Sequence, residues 1–300
     1  ARVRGTRERP AEPAAIAGRA LRGAFGPKAR AGDSKLSERF PGSRRILRKS
    51  RMNYGIIGVG SIAAAIVTGL CENAQNAPSI VLSPRNASRA GELAHRFPTV
   101  RVAQSNQDVI DGSSVLILCL RPQDARSVLP DLSFSEQQAI ISVMAGISIE
   151  TLHDLVAPAQ NIARAIPLPS VATREGATPI YPATDAAKAL FDQLGSFIEV
   201  PNTVAFEATS ASTATIAAHF AYLNTICQWL VAQGVSDSAA RRHVATTFAG
   251  LAAKLSDQEQ DFGELARDHA TPGGINEQFL DLLEQARVFD TVDLGLNRVL

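Results

Sequence analysis

Short apolar segments alternate with helical segments along most of the chain, and this alternation constrains its fold more than any other feature. The segment YGIIGVGSIAAAI (54–66) begins the series with a buried strand, a glycine-rich turn and a helix. The almost purely apolar segment SVLILCL (114–120) is typical of a strand that helices cover on both faces. The alternation predicts a doubly wound parallel sheet of the Rossmann type. We predict strands at 53–59, 79–85, 99–103, 114–120, 139–146, 161–169 and 176–182.

The pattern changes near residue 204, after which the sequence is typical of helices alone. The segment at 205–234 has apolar residues on nearly every face of a predicted helix, as in a helix buried in a large core or a subunit interface. Further helices are predicted at 236–255, 261–269 and 275–290. We therefore predict two domains: a Rossmann-type domain over 52–204 and an all-α domain over 205–300.

The N-terminal segment, residues 1–51, differs from the rest in composition. It has 15 basic and four acidic residues, a net charge of +11, whereas residues 52–300 carry −10. Such a segment cannot bury a core and is predicted to be disordered and dispensable, with Met52 as the natural start. An Arg-rich transit peptide and a nucleic-acid-binding arm are the alternatives, and the lack of interleaved aromatic residues argues against the second.

The remaining composition predicts a cytoplasmic protein that binds neither membranes nor nucleic acid. No apolar run approaches the roughly 18 residues that span a bilayer. The three cysteines have no paired spacing, which indicates reduced thiols. The five histidines have no metal-ligand spacing, so we expect no metal site.

The first turn fits the pattern G-x-G-x-x-[G/A], with Gly58, Gly60 and Ala63 at the three small positions. The first glycine allows a tight turn, the second lets the backbone approach a pyrophosphate, and the alanine lets the helix pack on the strand. The alternative is a tight turn with no ligand. Because the pattern follows a predicted strand and opens a helix, we favour a phosphate loop in which N–H groups near Ser61 and Ile62 face the anion.

The end of the second strand indicates which dinucleotide is bound. NAD sites usually have an acidic residue there for the ribose 2′-hydroxyl. The segment LSPRNASR (82–89) has no acidic residue, and the first one after the strand is Glu92. We expect Ser83, Arg85 and Asn86 to hold the 2′-phosphate of NADP instead, and the alternative is a solvated basic turn.

Five further segments resemble the pyrroline-5-carboxylate reductase family, in the same order, as part of a resemblance that covers about residues 52–292. They are AQSNQD (103–108), LCLRPQD (118–124), SVMAGIS (142–148), RAIPLPS (164–170) and ATPGGINEQFLDLLE (270–284). The last segment is the most specific match.

The resemblance implies a homodimer that reduces the cyclic imine 1-pyrroline-5-carboxylate to proline with NADPH, with each active site completed across the interface. It implies catalytic roles for Asn276 and Thr271. The substrate-binding residues implied with them are Gly273, Gly274, Thr213 and Thr215. The predicted cofactor-binding residues are Gly58, Gly60, Ser61, Ile62, Ser83, Arg85, Asn86, Asn106, Leu120, Arg121, Pro122 and Ala145.

Departures from the family pattern lie on the substrate side. Ile275 and Asn276 stand where the family has two threonines, and Leu168 replaces an asparagine. The N–H groups of the TPGGIN turn suit a substrate carboxylate, although an ordinary turn with Thr271 as helix cap is the alternative. A reductase of another imine or carbonyl compound and a non-catalytic NADP-binding protein therefore remain alternatives.

Overall fold

The computed structural model describes residues 52–255 and 260–300. The predictions made for residues 1–51 lie outside the described residues.

The strands of the described chain form one eight-stranded sheet. They are β1 (Asn53–Ile57), β2 (Ser79–Leu82), β3 (Val100–Val102), β4 (Val115–Leu118), β5 (Ala139–Ser142), β6 (Asn161–Ala165), β7 (Ala177–Tyr181) and β8 (Ser196–Glu199). Their order is β3-β2-β1-β4-β5-β6-β7-β8, and only the β6–β7 pair is antiparallel. The predicted Rossmann-type sheet is confirmed, with an antiparallel β7 and an edge strand β8 that the sequence pattern did not indicate.

Six α-helices accompany the sheet within the described residues. They are α1 (Ser61–Cys71), α2 (Ala87–Arg96), α3 (Asn106–Asp111), α4 (Pro122–Val128), α5 (Ile149–Leu155) and α6 (Asp185–Asp192). Successive strand residues belong to two separate cores: Ile56 and Ile117 to one, Ile57 and Leu118 to the other. Because side chains alternate between the faces of a strand, this division shows a sheet with apolar packing on both sides.

The rest of the described chain is helical. The helices are α7 (Thr203–Ser212), α8 (Thr215–Ala232), α9 (Asp237–Ala249), α10 (Ala252–Leu255), α11 (Phe262–His269), α12 (Ile275–Gln285) and α13 (Val288–Val299). The prediction of a single helix over 205–234 is wrong, because the helix is interrupted between α7 and α8. The single helices predicted over 236–255 and 275–290 are interrupted as well, between α9 and α10 and between α12 and α13. Thr213 and Thr215 each donate a side-chain hydrogen bond of 2.7 Å to the carbonyl three residues before, and such bonds compete with regular helical pairing.

The helical half buries little of its apolar surface within one chain. In its described part only four residues are buried: Phe206, Ala240, Val244 and Leu265. No residue of α8 is among them, and Phe220 and Trp229 of this helix are 64% and 61% exposed. The apolar faces predicted from the sequence are therefore present but not covered by the described chain.

A buried arginine joins the first helix of this half to the sheet. The side chain of Arg164, in β6, is 3% exposed, and its Nη1 lies 2.5 Å from Oε1 of Glu207 in α7. Its guanidinium also lies over the Phe206 ring, 4.5 Å from the ring centre. Nε of Arg164 has no hydrogen-bond partner in the described chain. The position of α7 on the sheet therefore depends on the ion pair between the buried guanidinium of Arg164 and the carboxylate of Glu207.

We predict that Glu207→Gln lowers the free energy of unfolding by about 1–3 kcal/mol, because the buried guanidinium loses its charged partner. The matched control is Glu199→Gln, which breaks the more exposed pair between Glu199 and Lys188. That change is expected to cost at most about 1 kcal/mol. Urea unfolding at one protein concentration measures both, and equal losses would contradict the assignment.

Candidate functional site

The glycine-rich turn lies at the carboxyl end of β1 and is held close to β4. Gly58 has a φ of +94°, and a Cβ at this position would lie 2.6 Å from the carbonyl oxygen of Cys119. Only glycine fits both the left-handed conformation and this approach. Gly60, in contrast, faces open space, since a Cβ there would have no heavy atom of the described residues within 4 Å. The turn therefore combines a tightly packed base with an open side.

The N-terminus of α1 faces that open side without a partner of its own. Gly60 is the N-cap residue, no side chain caps the helix, and its first turn has no acidic residue. The backbone N–H groups at Ser61 and Ile62 are thus suited to an anion. A dinucleotide pyrophosphate fits this arrangement.

Two residues predicted to hold the 2′-phosphate also support the turn. Ser83 is 2% exposed, and its Oγ accepts the N–H of Gly58 at 2.9 Å. Asn86 donates from Nδ2 to the carbonyl of Val59 at 2.9 Å, and its Oδ1 accepts the N–H of Arg89. These bonds order the turn, and direct contact of Ser83 or Asn86 with a phosphate stays a prediction.

Arginines bring positive charge to the same edge of the sheet. Arg85, which follows β2, and Arg121, which follows β4, lie 3.5 Å and 3.1 Å from the carboxylate of Asp124. Nη1 of Arg89 donates to Oγ of Ser61 at 3.4 Å, which places a third guanidinium beside the turn. This charge favours a ligand with a phosphate in addition to the pyrophosphate.

Asp124 is a site residue that the sequence reasoning missed. The hydrogen bond from Arg121 lowers the pKa of its carboxyl group, desolvation opposes this shift, and the charge of Arg85 adds to the lowering. Asp124 therefore stays ionised and links the loops that follow β2 and β4. The available signal was its place in the first turn of α4, two residues after Pro122.

The other predicted cofactor residues follow the carboxyl ends of neighbouring parallel strands. Asn106 begins α3 after β3, Leu120 and Pro122 follow β4, and the exposed Ala145 follows β5. In open α/β sheets ligands bind at this edge where the strand order reverses, which here is between β1 and β4. The fold thus brings the predicted cofactor residues to one edge of the sheet.

The second candidate group is the turn before α12. Gly274 donates its N–H to the carbonyl of Thr271 at 2.8 Å, and Gly273 has a φ of +74°. Pro272 and Gly273 are the two central residues of this turn, and proline followed by a glycine of positive φ is typical of a type II turn. The alternative in which Thr271 caps the helix is wrong, because α12 begins at Ile275 with Gly274 as its N-cap.

Asn276, in the first turn of α12, has one side of its amide fixed. Its Nδ2 donates to the carbonyl of His269 at 3.0 Å. This bond leaves Oδ1 as an acceptor for a ligand N–H group.

Asn276 and Thr215 line one open groove of about 1230 Å³ with His219, Phe220 and Phe279. Most of the other side chains that line it are apolar. Thr213, Thr271, Gly273 and Gly274 do not line it. The described chain therefore unites two of the six predicted substrate-side residues. The main packing of α12 in the described chain is against α13 rather than against the sheet.

In the described residues, no group of three or more histidine, cysteine, aspartate or glutamate side chains is arranged to hold a metal ion. No helix in that part of the chain is long and apolar enough to cross a bilayer. The cytoplasmic location and the lack of a nucleic-acid partner stay predictions.

Two family models match the two halves of the chain. Residues 53–146 match the family model described as NADP oxidoreductase coenzyme F420-dependent, and residues 205–299 match that for pyrroline-5-carboxylate reductase dimerisation. Pyrroline-5-carboxylate reductase 2 of Bacillus subtilis is 24% identical over 248 residues, which are 79% of this chain and 89% of that protein.

Solved structures extend the match to the whole fold. The 1-pyrroline-5-carboxylate reductase of Streptococcus pyogenes is 26% identical with a TM-score of 0.69, covering 83% of this chain and 98% of that one. The Plasmodium falciparum pyrroline carboxylate reductase with NADP bound is 18% identical with a TM-score of 0.70, covering 83% and 95%, and shows the shared fold. The chain belongs to the pyrroline-5-carboxylate reductase family.

Membership of the pyrroline-5-carboxylate reductase family confirms the resemblance drawn from the motifs. The residues that depart from the family pattern are accessible in the described chain: Ile275 is 84% exposed and Leu168 is 39% exposed. Asn276 is likewise exposed. The departures therefore change surfaces open to a ligand or a second subunit rather than the core.

We predict that Arg85→Ala raises the dissociation constant of NADPH about tenfold or more and leaves that of NADH almost unchanged, because a charge-assisted hydrogen bond to phosphate is lost. Arg126→Ala is the matched control, since Arg126 is an exposed arginine in the last turn of α4. Titration of cofactor fluorescence measures both affinities. An equal loss for NADPH and NADH would show that Arg85 does not read the 2′-phosphate.

Proposed function

We propose that this protein reduces 1-pyrroline-5-carboxylate to proline with NADPH. The observation that carries the proposal is the open, uncapped glycine turn at the switch point of a pyrroline-5-carboxylate reductase fold, with arginines beside it. The Bacillus subtilis and Streptococcus pyogenes relatives, which are named for this activity, support the choice of substrate.

NADP rather than NAD is the proposed cofactor. The N–H groups of Ser61 and Ile62 bind its pyrophosphate, and Arg85 and Arg89 bind its 2′-phosphate. The chain has no acidic residue at the end of β2 to accept a hydrogen bond from a free 2′-hydroxyl. When bound, NADPH supplies the hydride that the imine carbon accepts.

Asn276 orients the imine nitrogen in the proposed reaction. A protonated imine carries an N–H group, and Oδ1 of Asn276 is free to accept it because Nδ2 is bound to His269. A neutral amide is not a general acid, so the substrate arrives already protonated. Addition of hydride to the carbon then gives the secondary amine without a further proton from the protein. Thr271 shapes the turn that places Asn276.

The protein is proposed to act as a homodimer. In the described chain, α8, α12 and α13 have many exposed apolar side chains and no buried residue. Exposed apolar surfaces of this size mark interaction sites. The match of residues 205–299 to a dimerisation model supports a second copy as the partner. In the dimer, Gly273 and Asn276 of one subunit face the cofactor that Gly58 and Gly60 of the other subunit hold.

The proposed activity predicts that NADPH is oxidised in the presence of 1-pyrroline-5-carboxylate, with one proline formed per NADPH consumed. Asn276→Ala is expected to lower kcat/KM about 10- to 100-fold, because an acceptor for the imine N–H group is lost. The control is Asn297→Ala, in α13, whose side chain bonds to Asp293. Turnover of 2-oxo acids but not imines would overturn the proposal, and so would cofactor binding without turnover of any compound.

Shared active sites are tested by mixing two variants that are each impaired on one side of the site. Asn276→Ala damages the substrate side, and Gly60→Asp places a negative charge where the pyrophosphate binds. If the two sides come from different subunits, a refolded mixture forms heterodimers with one intact site and regains up to about a quarter of the wild-type activity. Each variant refolded alone is the control and keeps only its own residual activity. A mixture no more active than the mean of the two separate variants, or a monomer in sedimentation, would contradict the shared site.

A further inference from the structure

A glutamate side chain occupies the turn that the proposed function assigns to the substrate. Oε2 of Glu277 accepts the N–H of Gly273 at 2.6 Å, and Nε2 of Gln278 donates to the carbonyl of Gly273 at 3.2 Å. Both polar backbone groups of Gly273 are thus bound to side chains from the first turn of α12. The N–H of Gly273 is one of the donors expected to bind a substrate carboxylate.

This contact differs from the ordinary caps of the same protein. In α3 and α11 an acidic residue in the first turn accepts the N–H of the N-cap residue itself, Asp108 from Ser105 and Glu264 from Asp261. In α12 the N-cap N–H is already bonded to Thr271. Glu277 therefore reaches one residue further, into the turn, and places its charge there.

Two carboxylates cannot share this donor favourably. A single N–H group makes one good hydrogen bond, and two negative charges at this distance repel each other. A protonated imine without a carboxylate has the opposite requirement, because its positive charge is stabilised by a carboxylate nearby. The exposed Ile275 adds an apolar surface next to the turn, which suits an unsubstituted ring.

We propose, on the basis of the proposed function, that Glu277 is a specificity residue that competes with the substrate carboxylate at Gly273. The protein then reduces 1-pyrroline, a five-membered imine without a carboxylate, at least as efficiently as 1-pyrroline-5-carboxylate. Cyclic imines with a neutral or no substituent next to the nitrogen are the substrate class that this turn favours.

Glu277→Gln tests the proposal, because the amide oxygen still accepts the N–H of Gly273 while the charge is removed. At saturating NADPH, kcat/KM for 1-pyrroline-5-carboxylate is expected to rise about tenfold, whereas that for 1-pyrroline is expected to fall, because a negative charge near its protonated nitrogen is lost. Glu284→Gln, near the other end of α12, removes the same charge away from the turn and is expected to change neither value.

A glutamate that only shapes the turn would change both substrates together, so a parallel change in the two values overturns the proposal. Unchanged values overturn it as well. If neither imine is reduced by the wild-type protein, the proposed function fails separately. Binding of tetrahydrofuran-2-carboxylate and of tetrahydrofuran, measured by ligand-observed NMR in the presence of NADP, then decides the matter. Tighter binding of the carboxylate alone in Glu277→Gln supports the competition, and no difference overturns it.

Discussion

The close approach of the first turn to the neighbouring strand is the contact on which the rest of the site depends. Gly58 has no Cβ that would collide with the carbonyl of Cys119, so β1 and β4 stay adjacent up to their carboxyl ends. α1 then begins directly above the point where the strand order reverses. Any side chain at Gly58 would separate the two strands at the place where a dinucleotide is expected to bind.

Polar groups around this turn fall into two layers with different tasks. Ser83 and Asn86 use their side chains on the backbone of the turn, and they keep it in one conformation. Arg85 and Arg121 lie outside them, largely exposed, and are held by Asp124. Exposed ion pairs of this kind are weak, so little free energy would be lost if a phosphate replaced the carboxylate. The inner layer thus provides rigidity and the outer layer provides charge.

The helical half is fixed to the sheet through α7, whereas most apolar side chains of its later helices are exposed. Arg164, Glu207 and Phe206 fix α7 to the sheet. Beyond α7, α8 packs on α9 and α12 packs on α13, but no residue of α8, α12 or α13 is buried within the described chain. Exposed apolar faces of this kind are suited to packing against a second subunit. The groove lined by Asn276 and Thr215 lies between these helices, so two of the predicted substrate-side residues belong to the same apolar surface.

The sequence by itself determined the parallel strands β1 to β6, the glycine-rich turn after β1 and the family, because buried parallel strands and glycine turns restrict residue types strongly at short range. It did not determine what depends on contacts between distant residues. Only the tertiary structure showed that Ser83 and Asn86 face the turn, that Asp124 links two arginines, and that Arg164 anchors α7. It also decided that the helix over 205–234 is interrupted and that Glu277 reaches Gly273. The local sequence pattern cannot reveal these contacts. Each one depends on which polar groups still lack a hydrogen-bond partner when distant parts of the chain come together.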